Sequence, residues 1–75
     1  METKDMVRMA NQISDFFQSY GADYAKKEIA THVNSFWDPR MRTMLFAHMD
    51  AGGEGLSEAF KAAAENMKRP KAEPV

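Results

Sequence analysis

The sequence predicts an all-α protein, a small bundle of three to four short helices with a disordered C-terminal tail. Two observations support this prediction. Apolar residues recur at helical spacing through three successive segments, and no segment shows the alternation of apolar and polar residues that is typical of a strand. Residues that favour caps and turns separate these segments: Gly21, Asp38-Pro39 and the run GGEG at 52–55.

The first helix is predicted over residues 4–20. Its apolar side chains fall on one arc when successive residues are turned by about 100°, and most polar residues fall opposite. Thr3 is the expected N-cap and Gly21 the expected stop. The arc contains Met6, Met9, Ala10, Ile13, Phe16, Phe17 and Tyr20.

The second helix is predicted over residues 22–37, with Ala25, Ile29, Val33, Phe36 and Trp37 on its apolar arc. Asp38-Pro39 explains its end, because the residue before a proline is disfavoured in the α region. Asp is also a good N-cap and Pro is favoured at the first helical position. The same dipeptide should therefore begin a third helix in a new direction.

The third helix, residues 39–50, carries apolar side chains over roughly 200° of its circumference, whereas about 100° suffices for a surface helix. This width predicts apolar surface that the chain itself does not cover. Gly52 or Gly53 suits a left-handed C-cap, and Ser57 is the expected N-cap of a shorter fourth helix. The third-helix arc comprises Met41, Met44, Leu45, Phe46, His48 and Met49; the fourth contributes Ala59, Phe60, Ala63, Ala64 and Met67.

The length of 75 residues predicts one small domain over residues 1–67, followed by a disordered tail over 68–75 with two prolines and alternating charge. A chain of this size buries only about 60% of the surface that its unfolded form exposes. It has no cysteine, and therefore no disulfide and no cysteine-ligated zinc. We expect marginal stability or self-association when the chain is alone.

The composition disfavours several classes of function. Ten basic and eleven acidic residues give a net charge of -1, unlike the basic stripe of a nucleic-acid-binding protein. No apolar run approaches the 18 or so residues of a membrane span, and the first residues lack a signal-peptide core. No membrane association and a cytoplasmic location are therefore expected, and the absence of cysteine fits a reducing compartment.

The sequence predicts no catalytic, cofactor-binding or metal-binding residue. His32 and His48 lie on different helices and are expected to be half-buried core histidines. A metal site would need Asp50 or Glu28 brought to them by the fold. The run GGEG matches neither a dinucleotide fingerprint nor a phosphate-binding P-loop.

The features left over are typical of an interface. Trp37 ends a helix, Arg40 and Arg42 follow it, and tryptophan and arginine are enriched at interface hot spots. Trp37 as a core ring between the second and third helices is the alternative, and one ring can do both. The partner-binding hypothesis names Trp37, Asp38, Arg40, Arg42, Phe46 and Met49.

Three stretches resemble one family: RMANQISDFF at 8–17, EIATHVNSFWDPRMR at 28–42 and GGEGL at 52–56. In this order and spacing they resemble the delta subunit of NAD-dependent formate dehydrogenase, a soluble bacterial molybdenum or tungsten enzyme. The most specific of them is FWDPRMR, at 36–42.

The resemblance implies a non-catalytic subunit that binds the alpha subunit and supports its structure or assembly. In the family, the alpha subunit oxidises formate at a pterin-bound metal, and electrons pass through iron–sulfur clusters to FMN and NAD. This chain would bind none of these cofactors. A dedicated assembly factor, which aids metal-cofactor loading and is absent from the mature enzyme, is the alternative.

Overall fold

The computed structural model describes residues 1–70, which form four α-helices and one 3₁₀ turn without any strand. The predicted all-α fold is therefore confirmed. Helices α1 and α2 form an antiparallel hairpin, and α4 packs against both of them. The elements are α1 (Thr3–Gln18), α2 (Ala22–Phe36), α3 (Pro39–Asp50), α4 (Glu58–Ala63) and the 3₁₀ turn Ala64–Asn66.

Both ends of α1 differ from the prediction. The N-cap is Glu2 rather than Thr3, and the Glu2 backbone N–H donates to the Asp5 carboxylate over 3.3 Å. The helix ends at Gln18, before the expected Tyr20. Gly21, the expected stop, instead caps the start of α2 at φ 104°, and its carbonyl accepts the Ala25 N–H. The glycine is needed there because other residues rarely adopt a positive φ.

The core lies where α1, α2 and α4 meet. Its fully buried side chains include Met6 from α1, Ile29 and Val33 from α2, Leu45 from α3 and Phe60 from α4. Burial of such side chains stabilises by roughly 1.5–3 kcal/mol each. Among residues 1–70, the only polar side chain that is also buried is that of Ser14.

A polar junction joins α1 to the start of α4. The Asn11 side-chain carbonyl accepts the Ser57 N–H over 2.9 Å, and its NH₂ donates to the Gly55 carbonyl over 2.8 Å. The Ser14 hydroxyl donates to the Asn11 carbonyl and lies 2.8 Å from the Ser57 hydroxyl. Since a hydroxyl has one hydrogen, the Ser57 hydroxyl donates to Ser14 while it accepts the Phe60 N–H as the N-cap of α4. The predicted role of Ser57 is confirmed.

The corner between α2 and α3 forms as the sequence predicts. An Asp38 carboxylate oxygen accepts the Met41 N–H over 2.8 Å, and Pro39 occupies the first position of α3. At the other end of α3, the Gly52 N–H donates to the Met49 carbonyl and the Gly53 N–H donates to the His48 carbonyl, which is the Schellman arrangement. Gly52, at φ 118°, provides the positive φ that this ending requires.

The expectation of uncovered apolar surface on α3 is wrong for its two largest apolar side chains, whereas Met41 and Met44 still line an open depression of about 320 Å³. Leu45 is fully buried and Phe46 is 6% exposed, while Met41, Met44 and Met49 are half-buried against the core. The guanidinium of Arg69 covers the Phe46 ring, with its carbon 4.4 Å from the ring centroid. The apolar side chains of α3 do extend over a wide arc, as the sequence pattern predicts, but residues after α4 cover part of this arc.

These residues form a C-terminal strap, defined as residues 64–69, which extends beyond the predicted domain limit at residue 67. The Asn34 amide donates to the Asn66 carbonyl over 3.2 Å and accepts the Lys68 N–H over 2.8 Å. Lys26 pairs with Glu65 at 2.7 Å on the same side. The part of the predicted disordered tail at 71–75 lies outside the described residues.

An exposed ion pair closes the end of the strap, where Arg69 meets Asp50 at 2.8 Å. The hydrogen bond from Arg69, followed by its charge, lowers the pKa of Asp50 below its ordinary 3.8. A lowered carboxyl pKa contributes stability at pH values above the unfolded-state pKa, and that contribution is lost as the pH falls through the folded-state pKa. Both groups are exposed, so the contribution is small.

We predict that Asn11→Ala destabilises the fold, because it leaves the Ser57 N–H and the Gly55 carbonyl without partners. The expected loss is about 1–3 kcal/mol, measured by urea unfolding followed by circular dichroism. The matched control is Gln12→Ala at the exposed neighbouring position, which should unfold like the wild type. Wild-type stability of Asn11→Ala would show that packing alone holds α4.

A second prediction concerns the corner at Asp38. Asp38→Ala removes the cap of α3 and should cost about 1 kcal/mol, whereas Asp38→Asn keeps an acceptor oxygen and should cost little. Thermal unfolding of the two variants side by side tests this difference. Equal losses in both would mean that the carboxylate charge, rather than the hydrogen bond to Met41, stabilises the corner.

Candidate docking surface

The structure divides the predicted partner-binding residues between the core and the surface. Trp37 is 5% exposed and its ring lies 5.9 Å from that of Phe60, which favours the core interpretation for most of the side chain. Phe46 is also buried, and Met49 is half-buried. Asp38 and Arg40 are exposed. The named residues therefore do not form one continuous exposed surface, and their contact with a partner stays a prediction.

Arg42 forms hydrogen bonds within the chain. Its Nε donates to the Trp37 carbonyl over 3.3 Å, and its Nη1 donates to the Lys68 carbonyl over 3.0 Å. The guanidinium thus joins the end of α2 to the C-terminal strap. Arg40, in the first turn of α3, makes no such bond among residues 1–70 and is exposed at the surface.

The exposed apolar surface lies instead on the α1–α2 hairpin. We call it the aromatic strip and define it as Phe16, Phe17, Tyr20, Tyr24, His32 and Phe36. Its rings follow one another at centroid distances between 4.9 and 6.3 Å, from Tyr24 through Tyr20, Phe16, Phe17 and His32 to Phe36. Four of the rings are largely open to solvent: Phe16 63%, Tyr20 61%, Tyr24 48% and Phe36 75%.

Helical register explains how the strip arises. His32 and Phe36 are one turn apart on α2 and so lie on one face. Phe16 lies in the last turn of α1, and Tyr20 follows in the turn after the helix, with its ring 6.1 Å from that of Phe16. The helical pattern placed Phe16, Tyr20 and Phe36 on apolar arcs and thereby among core residues. The structure exposes them because neither α3 nor α4 covers these side chains; α4 buries other residues of α1 and α2.

An open groove of about 400 Å³ runs beside the strip. A cavity of about 150 Å³ is enough to hold a benzene ring, so the groove has room for a large apolar side chain. Gln12 and His32 supply its polar groups, and the buried Trp37 forms one end. The lining residues are Met9, Gln12, Ile13, Phe16, Phe17, His32 and Trp37.

Neither histidine lies in a cluster of ligands. Within residues 1–70, no group of three His, Cys, Asp or Glu side chains is placed to hold a metal ion. His48 Nε2 lies 2.7 Å from the Glu54 carbonyl oxygen, and His32 packs between Phe17 and Phe36. Both are half-buried, as predicted. The described part of the chain also contains no helix that is long and apolar enough to cross a membrane.

The comparison with known families decides the identity of the chain. The model of the NADH-dependent formate dehydrogenase delta subunit family, FdsD, matches residues 5–64. The chain belongs to this family. The matched range contains the whole aromatic strip, the groove and the polar junction. No curated protein and no solved structure shows significant similarity to the chain.

Membership of the delta-subunit family confirms the resemblance that the three sequence stretches indicated. It makes the chain one of a family of small formate dehydrogenase subunits. The match ends at Ala64, so the C-terminal strap beyond that residue lies outside it. The match therefore covers α1 from Asp5 onward and all of α2, α3 and α4.

We predict that Arg42 and Arg40 differ in their effect on stability. Arg42→Ala removes the bonds to the Trp37 and Lys68 carbonyls and should cost about 1 kcal/mol. Arg40→Ala, the matched control, should leave the free energy of unfolding unchanged. Fluorescence of the only tryptophan gives a second measurement, since loosening of the strap should expose Trp37 and shift its emission to the red. An Arg40 variant that unfolds as easily as the Arg42 variant would contradict this division of roles.

Proposed function

We propose that the chain is a non-catalytic delta subunit that binds the catalytic alpha subunit of an NAD-dependent formate dehydrogenase and supports its structure or assembly. The aromatic strip is the main structural support for the proposal. Exposed contiguous apolar patches of this kind mark protein–protein interaction sites. Family membership gives the enzyme with which the association would occur.

The residue types of the chain agree with an accessory role. The sequence has no cysteine with which to hold an iron–sulfur cluster. His48 contacts a backbone carbonyl, and His32 contacts aromatic rings. We therefore propose that the pterin-bound metal, the clusters, FMN and NAD are held by other subunits, and that the assembled complex is cytoplasmic.

An assembly factor would share these features, and stoichiometry separates the two roles. A subunit stays with the mature enzyme in a fixed ratio. An assembly factor binds the alpha chain before the metal cofactor is loaded and then leaves. The exposed strip is compatible with either role, whereas family membership as a subunit favours the first.

The test is purification of the full-length chain, with an affinity tag, from its native host. We expect the alpha subunit to co-purify at a constant ratio through the fractions that oxidise formate. Deletion of the chain should reduce the yield of intact complex, while the turnover number per metal-loaded alpha subunit changes little. Enrichment on metal-free alpha chains alone would support the assembly factor, and absence of the alpha subunit would overturn the proposal.

A further inference from the structure

We infer that the aromatic strip, rather than the turn at Trp37–Arg42, is the docking face, and that its occupant is an apolar partner segment carrying a basic residue. The inference rests on the proposed function, since it takes the partner to be a formate dehydrogenase subunit. It commits to a chemistry for the segment: a large apolar side chain for the groove, and an arginine or lysine about one helical turn away.

The area of the strip fits the centre of a specific interface. Aromatic side chains bury about 150–250 Å² each. At their exposed fractions, the four open rings still present roughly 400–600 Å² to solvent. That is as large as the largest apolar patch of a typical monomer and roughly half to three-quarters of the ~800 Å² that each partner contributes to a stable interface. The turn at Asp38 and Arg40 exposes no aromatic ring, because Trp37 and Phe46 are buried, and the open depression of about 320 Å³ beside it is lined by the methionines Met1, Met41 and Met44.

The charge of the strip favours a basic occupant. Glu28 lies one turn from both Tyr24 and His32 on α2, so it belongs to the same face. It is half-buried and makes no ion pair with any residue of 1–70. By contrast, Asp50 and Glu65 are paired with basic side chains. A partly buried carboxylate beside aromatic rings is suited to an arginine, which can pair with it and stack on a tyrosine ring.

A second copy of the chain fits this face less well. The corresponding row of α1 contains Arg8, Gln12 and Phe16, and Tyr20 follows in the turn after the helix. Arg8 is already engaged with Asp5 at 3.3 Å. Two strips facing each other would therefore bring two Glu28 carboxylates to the interface without a free cation from either row. A different protein that supplies a basic side chain at this position would avoid two unpaired carboxylates at the interface.

The groove positions the apolar part of the occupant relative to Glu28. His32 lines the groove, and Glu28 precedes it by four residues, a separation of about 6 Å along α2. An amphipathic helix laid along the hairpin presents side chains at i and i+4 with the same spacing. One apolar anchor and one basic residue, one turn apart, would thus meet the groove and Glu28 together.

The experiment measures retention of the full chain on the purified alpha subunit at two salt concentrations. The two strip variants are Phe16→Ser with Phe36→Ser, and Glu28→Lys. Their matched controls are Arg40→Glu, at the turn, and Lys27→Glu, an exposed charge beside Glu28 on α2 but outside its row. Circular dichroism checks that each variant is helical, which the exposure of Phe16 and Phe36 favours.

We expect the strip variants to lose affinity about thirtyfold or more, the usual effect of hot-spot changes, while both controls bind like the wild type. Failure of the wild-type chain to bind would overturn the proposed function itself. If the wild-type chain binds and both strip variants bind equally well, the proposed function is retained but the aromatic strip is not the docking face. Loss with the Phe variants but not with Glu28→Lys would overturn the basic occupant. Sedimentation gives a further test. If the wild-type chain is a dimer, and Phe16→Ser with Phe36→Ser disrupts the dimer without weakening binding to the alpha subunit, the aromatic strip binds a second copy of the chain.

Discussion

The polar junction of Asn11, Ser14 and Ser57 is the constraint on which the rest of the structure depends. Helix α4 has only six residues, far fewer than an isolated helix needs to be stable in water. The junction fixes where this short helix begins and pairs the side chains of Asn11, Ser14 and Ser57 with one another or with nearby backbone groups. Phe60 then enters the core from α4, and Trp37 packs against it.

Two arginines, Arg42 and Arg69, hold the C-terminal strap to the rest of the chain. Arg42 and Arg69 attach the strap to α2 and α3, through backbone carbonyls and through the Asp50 carboxylate. Arg69 also covers Phe46, which would otherwise be exposed apolar surface. Trp37 and Arg42 of the sequence motif therefore have a structural explanation, whereas Arg40 forms no such contact within residues 1–70. The exposed aromatic rings lie on the hairpin of α1 and α2.

Most of the fold could be predicted from the sequence, because local signals determine it. Helical periodicity, Asp38-Pro39 and Ser57 all act within a few residues, and the structure has their helices and caps in place. The exposure of Phe16 and Phe36 could not be read in this way. A helical arc shows which side chains are apolar, but their burial depends on where other elements pack against the helix, and α4 leaves these two rings exposed. The contact of Asn11 with Ser57 spans 46 positions and has no local pattern.

The strap has one consequence for how the sequence can vary. Asn34 and Arg42 recognise main-chain groups of Asn66 and Lys68, and not their side chains. Almost any side chain at positions 66 and 68 is therefore compatible with these hydrogen bonds. Substitutions should accumulate quickly at these two positions, while Asn34 should change little. Proline at position 68 is the exception, because it lacks the N–H that Asn34 accepts. Substitution tolerance in this segment is thus set by backbone chemistry.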